Sequence, residues 1–156
     1  MIVTLSEFLK EKGINPKDIK QEPSSPSEIA DLFMMVERDL SDSENATNLS
    51  VDWHFGIAYN AALKLCSILV RSEGLRISSG PHHMTTLKFI SYFFGKEKAP
   101  LARYFDKCRS KRNQTEYERI GGVSEKECKE LITETKKFKV EVKKWMLKKH
   151  PELMQR

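Results

Sequence analysis

The chain has 156 residues, 39% of them apolar, which favours one domain with a sizeable core over two. No run of eighteen uncharged apolar residues exists, and Met1-Ile2-Val3-Thr4-Leu5-Ser6-Glu7 lacks a basic region followed by an apolar core, so the chain reads as cytoplasmic and without a membrane span. The net charge of +5 is uneven: residues 101–156 carry 16 Lys and Arg against 9 Asp and Glu, whereas residues 1–100 carry 11 against 13. The basic C-terminal third is where an acidic partner is attracted; nucleic acid is the leading specific partner and a solvated helix face the plain alternative. Cys66, Cys108 and Cys128 are odd in number and widely spaced, with no zinc-ligand pattern. They read as buried, reduced side chains, and neither a metal nor a cofactor is expected.

In chain order, Thr4-Leu5-Ser6-Glu7 matches the capping box, in which a hydroxyl and a carboxylate satisfy free N–H groups at a helix start. A short helix with Leu5, Phe8 and Leu9 should stop near Gly13, ahead of a Pro- and Ser-containing linker through Pro23-Ser24. Residues 1–24 are thus an N-terminal appendage that docks on the core or on a second subunit.

Ser25-Pro26-Ser27-Glu28 starts the first main helix, whose stripe is Ile29, Leu32, Phe33, Val36 and Leu40 and which should fray near Ser41-Asp42-Ser43-Glu44-Asn45. The longest helix runs from about Ser50 to Glu73, with Phe55, Ala58, Tyr59, Ala62, Leu65, Cys66 and Leu69 as a wide stripe and Gly74 as its stop. Its alanines would let another helix approach closely. After the loop from Leu75 to Pro81, a third helix uses Met84, Leu87, Ile90, Phe93 and Phe94 and ends at Gly95.

A fourth begins around Pro100. The last follows Gly121-Gly122 with a second capping box, Ser124 to Glu127, and buries Leu131, Phe138, Val142, Trp145 and Met146. No alternating strand of useful length is visible. The expected fold is all-α: an antiparallel bundle of about five main helices over residues 25–150, plus the short N-terminal helix and a tail at 151–156.

The fourth helix ends in Cys108-Arg109-Ser110-Lys111-Arg112-Asn113-Gln114-Thr115-Glu116-Tyr117-Glu118. Leu101, Tyr104, Phe105 and Cys108 recur at helical spacing, which puts Arg112 on the buried side. An inward arginine is costly unless something receives it. The position is either an internal ion pair, with Glu116 or Asp106, or one wall of an anion site. His82 and His83 stand at a helix start, where free N–H groups and the helix dipole favour anions, and histidine titrates near neutral pH.

The plain alternative is that one histidine caps the helix or bonds the Arg76 loop while the other faces water. Adjacent histidines diverge by about 100° on a helix, which disfavours a shared metal ion. Arg76 either faces solvent or pairs locally with Glu73. Trp53 and Trp145 should pack on the core or an interface.

Three segments, taken in order, resemble the HEPN superfamily: Ala58-Tyr59-Asn60-Ala61-Ala62-Leu63-Lys64; Glu73-Gly74-Leu75-Arg76 leading through Ser79-Gly80 to His82-His83; and Arg112-Asn113-Gln114-Thr115-Glu116-Tyr117. The resemblance covers about residues 25–150 and is similar to a branch with Arg-Asn, three variable residues, then Tyr. HEPN members are small helical domains that include ribonuclease toxins and partners of minimal nucleotidyltransferases, commonly paired as homodimers.

The resemblance implies an RNA- or phosphate-binding domain, degenerate in catalysis, with Arg112, Asn113, Tyr117, Arg76, His82, His83 and Arg109 around the ligand. Two alternatives accompany it: a metal-independent endoribonuclease of toxin–antitoxin type, with Arg112 and Tyr117 as catalytic groups, and a non-catalytic protein partner of a nucleotidyltransferase. Tyr117 stands where ribonuclease members carry histidine. A tyrosine of ordinary pKa, about 10, is a poor general base at neutral pH, although it can donate a proton or bind a phosphate oxygen.

Overall fold

The computed structural model describes residues 3–117 and 120–155, Tyr117 by its backbone alone. Six α-helices account for most of the chain: α1 (Leu5–Glu11), α2 (Pro26–Asn45), α3 (Val51–Ser72), α4 (His82–Phe94), α5 (Ala99–Tyr117) and α6 (Glu125–Lys149). The all-α expectation is met. Local chemistry sets the starts, with Thr4, Ser25 and Ser124 accepting from the backbone N–H three residues on, and Ser124 and Glu127 completing a reciprocal box. Among the described residues, no helix is long and apolar enough to cross a membrane.

The long helix α3 is the axis of the bundle, packed against α2, α4, α5 and α6. Its Phe55, Tyr59, Leu65 and Leu69 meet Phe105 of α5 and Phe138, Val142 and Met146 of α6 in one core. Ala58, Ala61 and Ala62 are fully buried, so the small residues serve close packing inside this chain. Trp145 packs edge-on against Phe93, whereas Trp53 is 53% exposed and does not join the core. Cys66, Cys108 and Cys128 are free and buried.

Three features depart from the sequence reading. The first is that α6, with 25 residues, is longer than α3 with 22, because its capping box starts a helix that runs unbroken to Lys149. Ile19–Gln21 (β1) and Leu75–Ile77 (β2) form an antiparallel pair, with Ile19 opposite Ile77 and Gln21 opposite Leu75. Three residues are too few for alternation to register in a sequence, and the pairing joins segments far apart in the chain. The end of α2 does not fray at Ser41. Ser43 is buried, its hydroxyl donates to the His54 carbonyl at 2.8 Å, and His54 Nδ1 lies 2.5 Å from the Ser43 carbonyl.

The N-terminal segment docks on its own bundle. Phe8, Leu9 and Ile14 form a second cluster with Val70, Leu75 and Phe89, and the Phe8 ring lies 5.0 Å from that of Phe89. Arg71 fastens the linker that follows. Its guanidinium donates to both Glu28 carboxylate oxygens, at 2.6 and 3.0 Å, and to the carbonyls of Glu22, Pro23 and Leu75.

The charge asymmetry is partly resolved within the fold, because α6 lies beside α2. Lys136 pairs with Glu44, and Lys139 and Lys143 flank Glu37. Each such surface pair contributes about 0–1 kcal/mol.

Candidate functional site

The site begins where the N-terminal arm meets the turn before α4. Ser79 Oγ donates to Asp18 Oδ1 at 2.7 Å, and the Asp18 carboxylate occupies the space a side chain at Gly80 would need. Gly80 also has φ +79°, a left-handed conformation glycine adopts without strain. The chain then turns through Pro81 into α4, whose first turn has no side-chain cap. The leading N–H groups of His82, His83 and Met84 therefore have no capping acceptor, as at an anion-binding helix start.

Opposite this helix start lies the last part of α5. Arg109, Arg112 and Asn113, spaced three and four apart, share one face, and together with Pro81, His82, His83 and Met84 they line an open depression of about 460 Å³. Five of the seven candidate residues thus converge. Arg109 is held by Asp106 at 2.9 Å. Arg112 is mostly buried: its Nε lies 3.2 Å from Glu116 Oε1, and one terminal nitrogen donates to Asn113 Oδ1 at 3.3 Å. The Nε–H is buried yet poorly aligned with the Glu116 carboxylate, so the pair is an ionic contact without a formed hydrogen bond.

Helix α3 supplies the floor. The Arg112 guanidinium sits over the Tyr59 ring, 5.8 Å from its centroid, and the Tyr59 hydroxyl lies 3.2 Å from His83 Nδ1. Burial raises the Tyr59 phenol well above the usual tyrosine range, so it keeps its proton. The hydroxyl and Nδ1 share one proton across this contact, and the His83 tautomer decides which of them donates it. Burial, then Arg112, Arg109 and His82, hold the His83 pKa below its ordinary value.

One turn before Tyr59, Gly56 makes room for the ion pair. A Cβ there would stand 3.0 Å from Glu116 Oε1 and 3.7 Å from Arg112 Cγ. The inward Arg112 therefore has both anticipated environments at once, an internal carboxylate and an open groove wall.

One candidate residue does not join this group. Arg76 pairs with Glu22 and lies 3.8 Å from Glu28, lining a smaller depression of about 290 Å³ on the other flank of His82 and His83. Glu73, its expected local partner, bonds His150 instead, at 2.5 Å. The side chain of Tyr117 lies outside the described residues. Among those residues, no group of three or more His, Cys, Asp and Glu side chains is placed to hold a metal ion.

Sequence reasoning missed Tyr59 as a site residue because it sits in the apolar stripe of α3. It also missed Gly56, Asp18 and the Arg71 clamp. Only the crossing of α3 with α4 and α5 gives Tyr59 its partners. What the arrangement offers chemically is a guanidinium pair, a carboxamide and uncapped backbone N–H groups converging on an opening, with a neutral imidazole able to gain a proton when an anion arrives. No family model, characterised protein or solved structure matches the chain.

Proposed function

We propose that the chain is a HEPN-like helical domain that binds RNA through phosphate contacts in the groove between α4 and α5, and that it is a binding module before it is a catalyst. One observation carries this reading: His82 and His83 meet Arg109, Arg112 and Asn113 in one depression, across some thirty residues of chain. The phosphate is received by Arg112, Asn113 and the uncapped start of α4, while Glu116 and Asp106 keep Arg112 and Arg109 in place between ligands. In this reading the domain acts as a homodimer in the cytoplasm, and the exposed Trp53 belongs to its contact surface.

A specific contact favours a second reading as a metal-independent endoribonuclease. His83 is a half-buried imidazole within reach of the Arg112 charge, so once protonated it could pass that proton to a leaving oxygen while Arg112 offsets charge on the phosphorane. The Arg112 and Glu116 pair favours the third, a non-catalytic partner of a nucleotidyltransferase in which the arginine is structural.

One gel separates the three. Wild-type protein and Asn113→Ala and Arg112→Ala variants are incubated with a mixed RNA pool in chelator, with melting curves as the folding control. A shift that weakens in both variants without cleavage is the expected result. Arg112-dependent cleavage to 2′,3′-cyclic ends promotes the nuclease. Absence of any RNA shift with wild-type protein refutes the binding reading and points to a protein partner.

A further inference from the structure

The depression that holds Arg112 lies between α4 and α5. A second hollow of about 430 Å³ lies between the same two helices and shares Met84 with the first. Its α5 wall is Ala99, Ala102, Arg103, Asp106 and Lys107, which continue at helical spacing into Arg109, Arg112 and Asn113. Its α4 wall continues from Met84 to Leu87, Lys88 and Ser91. From Ala99 to Asn113 the α5 wall is about 21 Å long at 1.5 Å per residue.

The two parts of this wall differ in a way that suggests their roles. The floor is apolar, built of Met84, Leu87 and Ala102, with Met84 37% exposed. The rim is cationic. Arg103 and Lys107 are exposed and make no ion pair among the described residues, and Lys88 Nζ is steered into place by the Lys12 carbonyl at 3.2 Å. Asp106, the one carboxylate lining this hollow, is already engaged by Arg109. A concave apolar floor between cationic edges suits a strand whose bases are unstacked and whose phosphates face outward. In a duplex the bases are turned inward and the floor has nothing to receive.

We infer that the two hollows form one α4–α5 track for single-stranded RNA, running between the Arg112 and His83 end and Lys88, Arg103 and Lys107 by way of Met84. This rests on the RNA reading of the inner groove and extends it to a strand chemistry and a path. The outer cations add phosphate contacts, and each contact to a single strand adds about 0.7 to the slope of log affinity against log salt.

The test uses fluorescence anisotropy of labelled oligouridylate with wild-type protein, Arg112→Ala, and the double variant Arg103→Ala/Lys107→Ala, over a salt series. The double variant changes exposed, unpaired side chains, so its melting temperature should match wild type. Its affinity should fall by about an order of magnitude at physiological salt, and its slope by about 1.4.

If Arg112→Ala weakens binding while the double variant keeps wild-type affinity and slope, the track is refuted and the inner groove stands. If wild-type protein binds no oligouridylate, both fall. Tighter binding of a duplex than of the single strand, or displacement of the RNA by polyglutamate at equal charge concentration, also overturns the track, the latter in favour of an acidic protein partner.

Discussion

Replacing Arg71 by Met tests how the site is held in position. The side chain is 7% exposed and makes five hydrogen bonds, two to the Glu28 carboxylate and three to carbonyls of the linker and β2. Methionine fills similar volume but leaves Glu28 and three carbonyls without their donor. Removing one partner of a buried ion pair costs about 3–5 kcal/mol, and water reaching the half-exposed Glu22 end of the cluster puts the loss toward the lower figure.

For a domain of this size, about 3 kcal/mol corresponds to a fall in Tm of roughly 6–12 °C. Urea denaturation followed by circular dichroism measures it directly as a lower midpoint at unchanged slope. Because β2 leads through Ser79-Gly80 into α4, the variant should also weaken RNA binding without touching the groove. A loss of under about 1 kcal/mol would show that the clamp is dispensable and refute the account of how the linker is fixed.

Other expectations follow from the same geometry. Glu28 has its pKa lowered, chiefly by the Arg71 hydrogen bond, so its contribution to stability is present above the ordinary carboxylate value and is lost as pH falls through its folded value; wild type but not Arg71→Met should show that acid limb in urea midpoints. His83, held below its ordinary value of 6.5 by burial first, is neutral at pH 7; acidification below that value costs folding stability, while bound phosphate favours the protonated ring. RNA affinity should therefore rise between pH 7.5 and 5.5 and do so less in His83→Gln, measured by anisotropy. Gly56→Leu should pry α5 from α3 and reduce RNA binding more than tenfold, whereas Gly56→Ala, whose Cβ asks only a small shift of Glu116, should melt within about 1 kcal/mol of wild type. Burial pushes the Cys108 thiol up to about 11 and raises those of Cys66 and Cys128, so a thiol reagent should modify none of the three rapidly until denaturant is added.

Features governed by neighbours three or four residues apart are legible in the chain before it folds. Ser124 and Glu127 satisfy each other's backbone across one turn, Gly13 and Gly74 take the positive φ that ends a helix, and the stripe from Phe138 to Met146 shows its buried side by spacing alone. Arg112 announced itself in the same way, because helical spacing from Cys108 turned a charge inward. The convergence of His82 and His83 with it was anticipated only through family resemblance.

What each inward or half-buried group meets depends instead on how the helices cross. Tyr59 reaches His83 across twenty-four residues, Arg71 reaches Glu28 across forty-three, and Arg76 turns away from the groove to Glu22 across fifty-four. A helical period says which way a side chain points and nothing about the helix it points at. Partners of that kind are set by the crossing of α3 with α4 and α5 and by the docking of the N-terminal arm, where burial makes each polar group find an acceptor or lose stability.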